Sequence, residues 1–203
     1  TPSITPTPSS SATAPFPSVS NICSSSQSMM IARVIWNGRT EANAWINPGD
    51  YSSARKTNSE GLAYFCVLPN TKGSFLVSVS SGGPGINQFA DFTSPPVGQT
   101  GNVTIEIKAP RYVSPPKDAN VSLKNLSFVW EASPKVFSWL FRWWDSDEGQ
   151  VPKNLNQQSL PATTTSFTPL MTTGKCYFWD VSGFDSNNAI VLRGERLQMC
   201  VVP

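Results

Sequence analysis

Along residues 174–185 the side chains alternate with a period of two. Tyr177, Trp179, Val181 and Gly183 fall on one side, and Cys176, Phe178, Asp180 and Ser182 on the other. This is the pattern of a strand with one face on a core. A second strand is expected over 191–202, across the turn signal Ser186-Asn187-Asn188. Cys176 and Cys200 are equidistant from Asn188, so a hairpin folded there sets their sulfurs opposite each other. Similar runs recur upstream. Residues 29–36 and 42–46 are expected strands divided by the turn signal Asn37-Gly38. A tight turn at Ser59-Glu60-Gly61 feeds a strand ending at Leu68-Pro69. A further turn over 70–73 feeds another strand with Phe75, Val77 and Val79 on one face, and 102–107 closes this set. In 126–130, Phe128 and Trp130 share a face. In 137–144, Trp139, Phe141 and Trp143 share one face while Leu140, Arg142 and Trp144 share the other.

Two stretches break the alternation. Residues 1–20 contain 15 Ser, Thr or Pro and no charge. Such a segment buries too little apolar surface to offset its ordering entropy. Proline biases it toward an extended form of ~3.1 Å per residue, so it would span about 60 Å. The second break is Ala109-Pro110-Arg111-Tyr112-Val113-Ser114-Pro115-Pro116, whose prolines exclude a helix or a central strand. The expected organisation is therefore all-β, with two Ig-like/transthyretin-like β-sandwich domains in tandem after a disordered Ser/Thr/Pro-rich stalk. Residues 1–22 form the stalk, 23–109 the first sandwich, 110–116 a short joint that restricts the angle between domains, and 117–203 the second sandwich.

Composition narrows the class. The 203 residues are 39% hydrophobic but only 14% charged, with 18 Pro and 7 Trp, which suits an extracellular β protein. The net charge of +2 is evenly spread, with six basic and five acidic side chains over 33–110 and nine and eight over 111–203. No basic stripe exists to follow a phosphate backbone, so nucleic acid is not an expected partner. No apolar run reaches the ~20 residues of a membrane span. Four cysteines, at 23, 66, 176 and 200, allow three pairings. Bridges Cys23 to Cys66 and Cys176 to Cys200 are the simplest, since each stays inside one domain; four buried free thiols are the alternative. Zinc is disfavoured by the absence of histidine and of paired ligand spacing.

The segment Thr57-Asn58-Ser59-Glu60-Gly61-Leu62-Ala63, then Leu68-Pro69 and Gly73-Ser74-Phe75, resembles the carboxypeptidase regulatory-like domain family in order and spacing. Ala63 stands where that family usually has an aromatic residue. The resemblance covers about 80 residues and implies a small transthyretin-like sandwich of the kind found as an accessory module. From Leu126 onward, the Phe-x-Trp strand, the aromatic second strand, and Leu170, Gly174, Tyr177, Trp179 and Val181 resemble fibronectin type III-like modules of bacterial surface proteins. That resemblance implies that Tyr177 occupies a tyrosine-corner position, its hydroxyl bonded back to the chain.

Candidate chemistry is sparse. Without histidine there is no His-based triad or metal site. No Gly-x-Ser-x-Gly elbow is present, and Ser81-Gly82-Gly83-Pro84-Gly85 fits a loop better than a phosphate cradle. Asp145, Asp147 and Glu148 are the one acidic cluster that calcium could use, although a solvated turn explains them equally well. Surface aromatics are the better lead. Trp144, placed outward by parity with Arg142, is the first candidate for stacking on a sugar ring, followed by Trp36 and Trp45; the alternative is that these rings are core or interface. The expected function is non-catalytic: an extracellular or cell-surface structural and interaction module, anchored through a segment upstream of Thr1, whose partner is a surface protein or polysaccharide. A carbohydrate-binding accessory region using exposed Trp and a non-catalytic appendage of a larger secreted enzyme are the alternatives. No cofactor is expected.

Overall fold

A computed structural model describes residues 18, 22–49, 53–79, 86–149 and 152–203. Most of the expected stalk, and the Ser81–Gly85 loop, lie outside the described residues. Eight strands build the first sandwich: β1 (Ser28–Trp36), β2 (Arg39–Thr40), β3 (Trp45–Asn47), β4 (Arg55–Lys56), β5 (Leu62–Val67), β6 (Lys72–Val79), β7 (Ile86–Thr93) and β8 (Thr100–Ile107). One sheet has β1 at its centre, antiparallel to β5 and β2 and parallel to β8 along its other edge. The other runs β4-β3-β6-β7, antiparallel throughout. Met30, Ala32, Val34 and Trp36 of β1 meet Ile46, Phe75, Val77 and Val79 between the sheets. The two faces of each strand thus follow the alternation of the sequence.

The local signals of the first sandwich have physical causes. Asn37 and Gly38 both take positive φ, the geometry of a two-residue hairpin. That hairpin joins β1 to the short β2 rather than to β3, because the chain crosses to the opposite sheet after two ladder pairs. Thr57 is buried; its hydroxyl donates to the Glu41 carbonyl at 2.6 Å and accepts from the Ala44 amide at 3.0 Å. The Asn58 carboxamide oxygen accepts from the Glu60 and Leu62 amides. Gly61 follows at φ +72°, where an added Cβ would lie 2.9 Å from the Val34 carbonyl oxygen. The Thr-Asn-x-x-Gly signature is therefore a hydrogen-bonded turn pressed against β1.

Nine strands build the second sandwich: β9 (Tyr112–Ser114), β10 (Ala119–Ser122), β11 (Phe128–Trp130), β12 (Ser138–Asp145), β13 (Asn156–Pro161), β14 (Ser166–Phe167), β15 (Cys176–Phe184), β16 (Ile190–Leu192) and β17 (Leu197–Val202). The larger sheet runs β10-β17-β15-β12-β13, with β16 also on β15, and faces a smaller sheet β14-β11-β9. This is an Ig/fibronectin type III-like sandwich. Its centre is aromatic. Trp179 meets Phe128 and Tyr112 edge-on, with ring centroids 4.8 and 4.9 Å away, and stacks on Phe141 at 6.1 Å. The Thr172 amide donates to the Tyr177 hydroxyl at 3.0 Å, the backward bond of a tyrosine corner. Disulfides join Cys23 to Cys66 and Cys176 to Cys200, and the second lies directly across the β15–β17 ladder.

Two expectations change. The 110–116 segment is not all joint. Tyr112–Ser114 pairs with β11 as an edge strand, where flanking prolines are tolerated. The strand expected over 191–202 is also two strands. Between them Tyr112 inserts its phenol: the hydroxyl donates toward the Glu195 carbonyl at 3.1 Å and accepts from the Val181 amide at 3.4 Å. Gly194 allows this approach, because a Cβ there would lie 2.1 Å from the Val181 carbonyl oxygen and 2.8 Å from the Tyr112 hydroxyl. Burial pushes this phenol well above its ordinary pKa.

The sandwiches are tied at the joint. The Trp36 indole Nε1–H donates to the Ala109 carbonyl at 2.7 Å, and the Arg111 guanidinium lies 5.0 Å from the Trp36 ring centre. Arg111 also pairs with Glu41 through both terminal nitrogens at 3.2 Å. The Arg193 amide donates to the Lys108 carbonyl at 3.1 Å, and Asn37 Nδ2–H donates to the Ala132 carbonyl. Tyr112→Phe keeps the ring but orphans the Glu195 and Val181 backbone groups, so urea unfolding is expected to show a loss of about 1–3 kcal/mol. A loss below about 0.5 kcal/mol, the size of an ordinary surface change, would mean that the phenol is not holding the β16–β17 break together.

Candidate functional site

Two of the three expected stacking rings are buried. Trp36 is 0% exposed, closed by the first core, Ala109 and Arg111. Trp144 is 2% exposed. Trp144 pairs with Phe178 two residues along from the Arg142–Asp180 pair, on the same face, turned away from the main core. What parity could not show is the cover. The Arg196 guanidinium lies 4.8 Å from the Trp144 ring centre, Phe178 packs at 5.8 Å, and the indole Nε1–H donates to the Gly149 carbonyl at 3.1 Å. Beside it Arg142 holds Asp180 with two bonds, of 2.8 and 2.9 Å. Burial raises the Asp180 carboxyl above its ordinary value, and Arg142 opposes that shift only in part. This face is a self-satisfied polar and aromatic layer.

The carboxylates of the acidic cluster turn to different protein partners. Asp145 Oδ2 accepts from Lys175 Nζ, and Asp145 Oδ1 accepts from the Asp147 amide. These bonds hold its carboxyl below the usual range, with the Lys175 bond the larger cause. Glu148 turns the other way and accepts from the Lys153 amide and from the backbone and side-chain amides of Asn154. Among the described residues no group of three or more acidic, Cys or His side chains converges on a point where a metal would sit. The cluster is a 3-10 turn over Ser146–Glu148, with Asp145 as its N-cap.

Trp45 differs. It is 49% exposed on the outer face of the β4-β3-β6-β7 sheet. Register places Lys56, Trp45, Ser78 and Asn87 in one row across the four strands, and Asn47, Leu76 and Phe89 in the next. Phe89 is 70% exposed. Trp45, Asn47, Ala54, Leu76, Ser78 and Asn87 line an open hollow of about 490 Å3. The Ser78 hydroxyl donates to Asn87 Oδ1, and the Lys56 ammonium lies 5.2 Å from the Trp45 ring centre. Trp45, Leu76 and Phe89 thus form an apolar diagonal flanked by amides and a hydroxyl. Phe89 escaped the sequence analysis although a signal was present. Phe89 and Phe92 fall on opposite faces of one strand, and Phe92 stacks on buried Phe75 at 4.4 Å, so Phe89 faces outward.

No protein-family model matches the sequence, and no curated protein matches it. Among solved structures, the FN1–FN3 domains of chicken CNTN1 align with 77% of this chain at 15% identity and a TM-score of 0.33. The TIE protein of Bacillus anthracis aligns with 87% at 12% identity and a TM-score of 0.32. The alignments cover 55% and 32% of those two chains, respectively. The fold assignment rests on the strand pairing described above.

The Arg142–Asp180 pair makes a pH-dependent prediction. A carboxyl with a raised folded-state pKa binds its proton more tightly when folded, so its stabilising share is fully present below the ordinary carboxylate range. That share is lost as pH rises through the folded value. Arg142→Leu removes the group opposing the shift and is expected to cost about 3 kcal/mol at neutral pH, the lower end for a broken buried pair. The cost should shrink clearly at acidic pH, once Asp180, its pKa raised by burial, has taken up its proton. Urea unfolding at both pH values measures this, and equal losses would rule out Asp180 protonation as the relief.

Proposed function

We propose that this chain is a non-catalytic extracellular interaction module whose binding surface is the outer face of the β4-β3-β6-β7 sheet. One observation carries the reading: Trp45 and Phe89 stand exposed together, beside Leu76 and an open, mainly apolar hollow. Aromatic rings left in water beside convergent amides are what a recognition surface needs. The two disulfides suit an oxidising compartment. Among the described residues no helix is long and apolar enough to cross a membrane. The uncharged Ser/Thr/Pro-rich segment 1–22 supports display at a distance from whatever carries it. The Thr57–Gly61 turn and the Leu68-Pro69 strand end support reading the first sandwich as a carboxypeptidase regulatory-like accessory module. Its partner, in this reading, is a surface polysaccharide or protein.

Retention on an immobilised extract of cell-surface protein and polysaccharide tests the proposal. The double variant Trp45→Ala/Phe89→Ala is expected to lose at least tenfold in retention, a loss of about 1.4 kcal/mol. Its melting temperature should stay near that of the parent, since neither ring belongs to the core. Undiminished retention of a folded double variant would place the contact elsewhere.

A further inference from the structure

Resting on the binding face assigned above, we infer that its ligand is an uncharged oligosaccharide chain laid across the strands. Trp45 on β3 and Phe89 on β7 are separated by one intervening strand and two residues of register. With strands about 4.8 Å apart and a rise of about 3.4 Å per residue, the two Cα positions lie about 12 Å apart. Leu76 fills the middle of that line, directly opposite Phe89 and diagonal to Trp45. The span suits an extended run of roughly three sugar rings, whose apolar C–H faces stack on aromatic rings.

The flanks fit the edges of such a chain. Ser78 and Asn87 border the diagonal; the Ser78 hydroxyl donates to Asn87 Oδ1, so the pair offers an amide N–H to donate and a hydroxyl oxygen to accept, while Asn47 beside them is buried and accepts from the Gly49 amide. Sugar hydroxyls need that dual capacity. The hollow of about 490 Å3 falls within the range of small-ligand sites. Charge argues against an ionic ligand. Lys56 stands at the β4 margin, Lys72 at the start of β6 and Asp91, opposite Ser74, at the β7 margin, so the face carries a net charge of only +1, too little to gather a polyanion. The Lys56 ammonium, 5.2 Å from the ring centre, steadies Trp45 and so reduces the ordering cost of stacking.

The neighbouring geometry disfavours a protein strand. The β4 edge is two residues long and carries Arg55 and Lys56, which discourages strand addition. At the β7 margin the Gln88 side chain accepts from the Lys108 amide at 3.1 Å and donates to the Glu106 carbonyl, which fastens β7 to the backbone at the end of β8 in the opposite sheet. A ligand laid across Trp45, Leu76 and Phe89 meets the face by side-chain contact. Three apolar side chains supply far less than the ~800 Å2 per partner of a stable protein interface, yet they suffice for a glycan.

The test uses the full chain labelled with 5-fluorotryptophan, the Trp45 fluorine signal being the one lost in Trp45→Phe. Cellohexaose, xylohexaose and mannohexaose are titrated in turn, with hyaluronan and heparin oligosaccharides as charged probes. At least one neutral hexaose is expected to shift the Trp45 signal saturably, and its disaccharide to bind at least tenfold more weakly. Phe89→Ala should weaken the hexaose at least tenfold. A silent Trp45 signal with all neutral probes, or tighter binding of the charged ones, overturns the inference. Protease digestion of the surface extract separates this failure from failure of the broader reading. If digestion abolishes a Trp45-dependent retention, the binding face stands and its ligand is a protein.

Discussion

Two consecutive residues, Arg111 and Tyr112, hold the molecule together, and they point in opposite directions. Arg111 reaches back to cover Trp36 and to grip Glu41 of the first sandwich. Tyr112 reaches forward to pack on Trp179 and to bond Val181 and Glu195 in the second. Alternation on an extended backbone sends neighbouring side chains to opposite sides, so a two-residue segment can serve two cores. The partial burial of Arg111 and Glu41 makes their pair more than an exposed contact. Losing Glu41 would leave the guanidinium with only the Trp36 ring and the more distant Glu131. A joint of few residues is thus fixed by side-chain chemistry.

The disulfides act at a different level. Each closes a loop within one sandwich, with sequence separations of 43 and 24 residues. Each contributes roughly 2–4 kcal/mol, mostly by restricting the unfolded chain. The bridge from Cys23 fastens the segment before β1 to β5, beside Met29, Ile31 and Tyr64. It therefore pins the point at which the Ser/Thr/Pro-rich segment meets the folded domain. The bridge across β15 and β17 reinforces a ladder that Tyr112 interrupts further along.

The sequence revealed most where an interaction is local. Alternation located the core strands, turn residues located Gly61 and Asn188, and symmetry about Asn188 located the Cys176–Cys200 pair. It revealed least where a distant residue decides the outcome. Trp144 has an outward parity and is still buried, because Arg196 arrives from a strand junction that no local pattern marks. Tyr112 sits in a proline-rich stretch that reads as a joint, yet its ring belongs to the second core. The break between β16 and β17 reflects the arriving phenol, with Gly194 as the only local sign. Phe89 was legible in principle, from its spacing to Phe92, but only once β7 was read as a strand.

The two sandwiches resolve the same problem differently on their outer sheet faces. The second covers its outer aromatic, Trp144, with an arginine and a phenylalanine and neutralises Asp180 with Arg142. The first leaves Trp45 and Phe89 in water, at a cost that scales with the apolar area of two rings. Both faces are built from the same kinds of residue, so composition does not distinguish them. What distinguishes them is whether a cation and a second ring close over the aromatic from within the chain. On the first sandwich Lys56 steadies one ring but cannot hide it, and Phe89 sits two strands away from that cation's partner. An exposed ring pair of this kind is stable in the folded chain but not covered by it, and in the proposed reading a stacking ligand provides that cover.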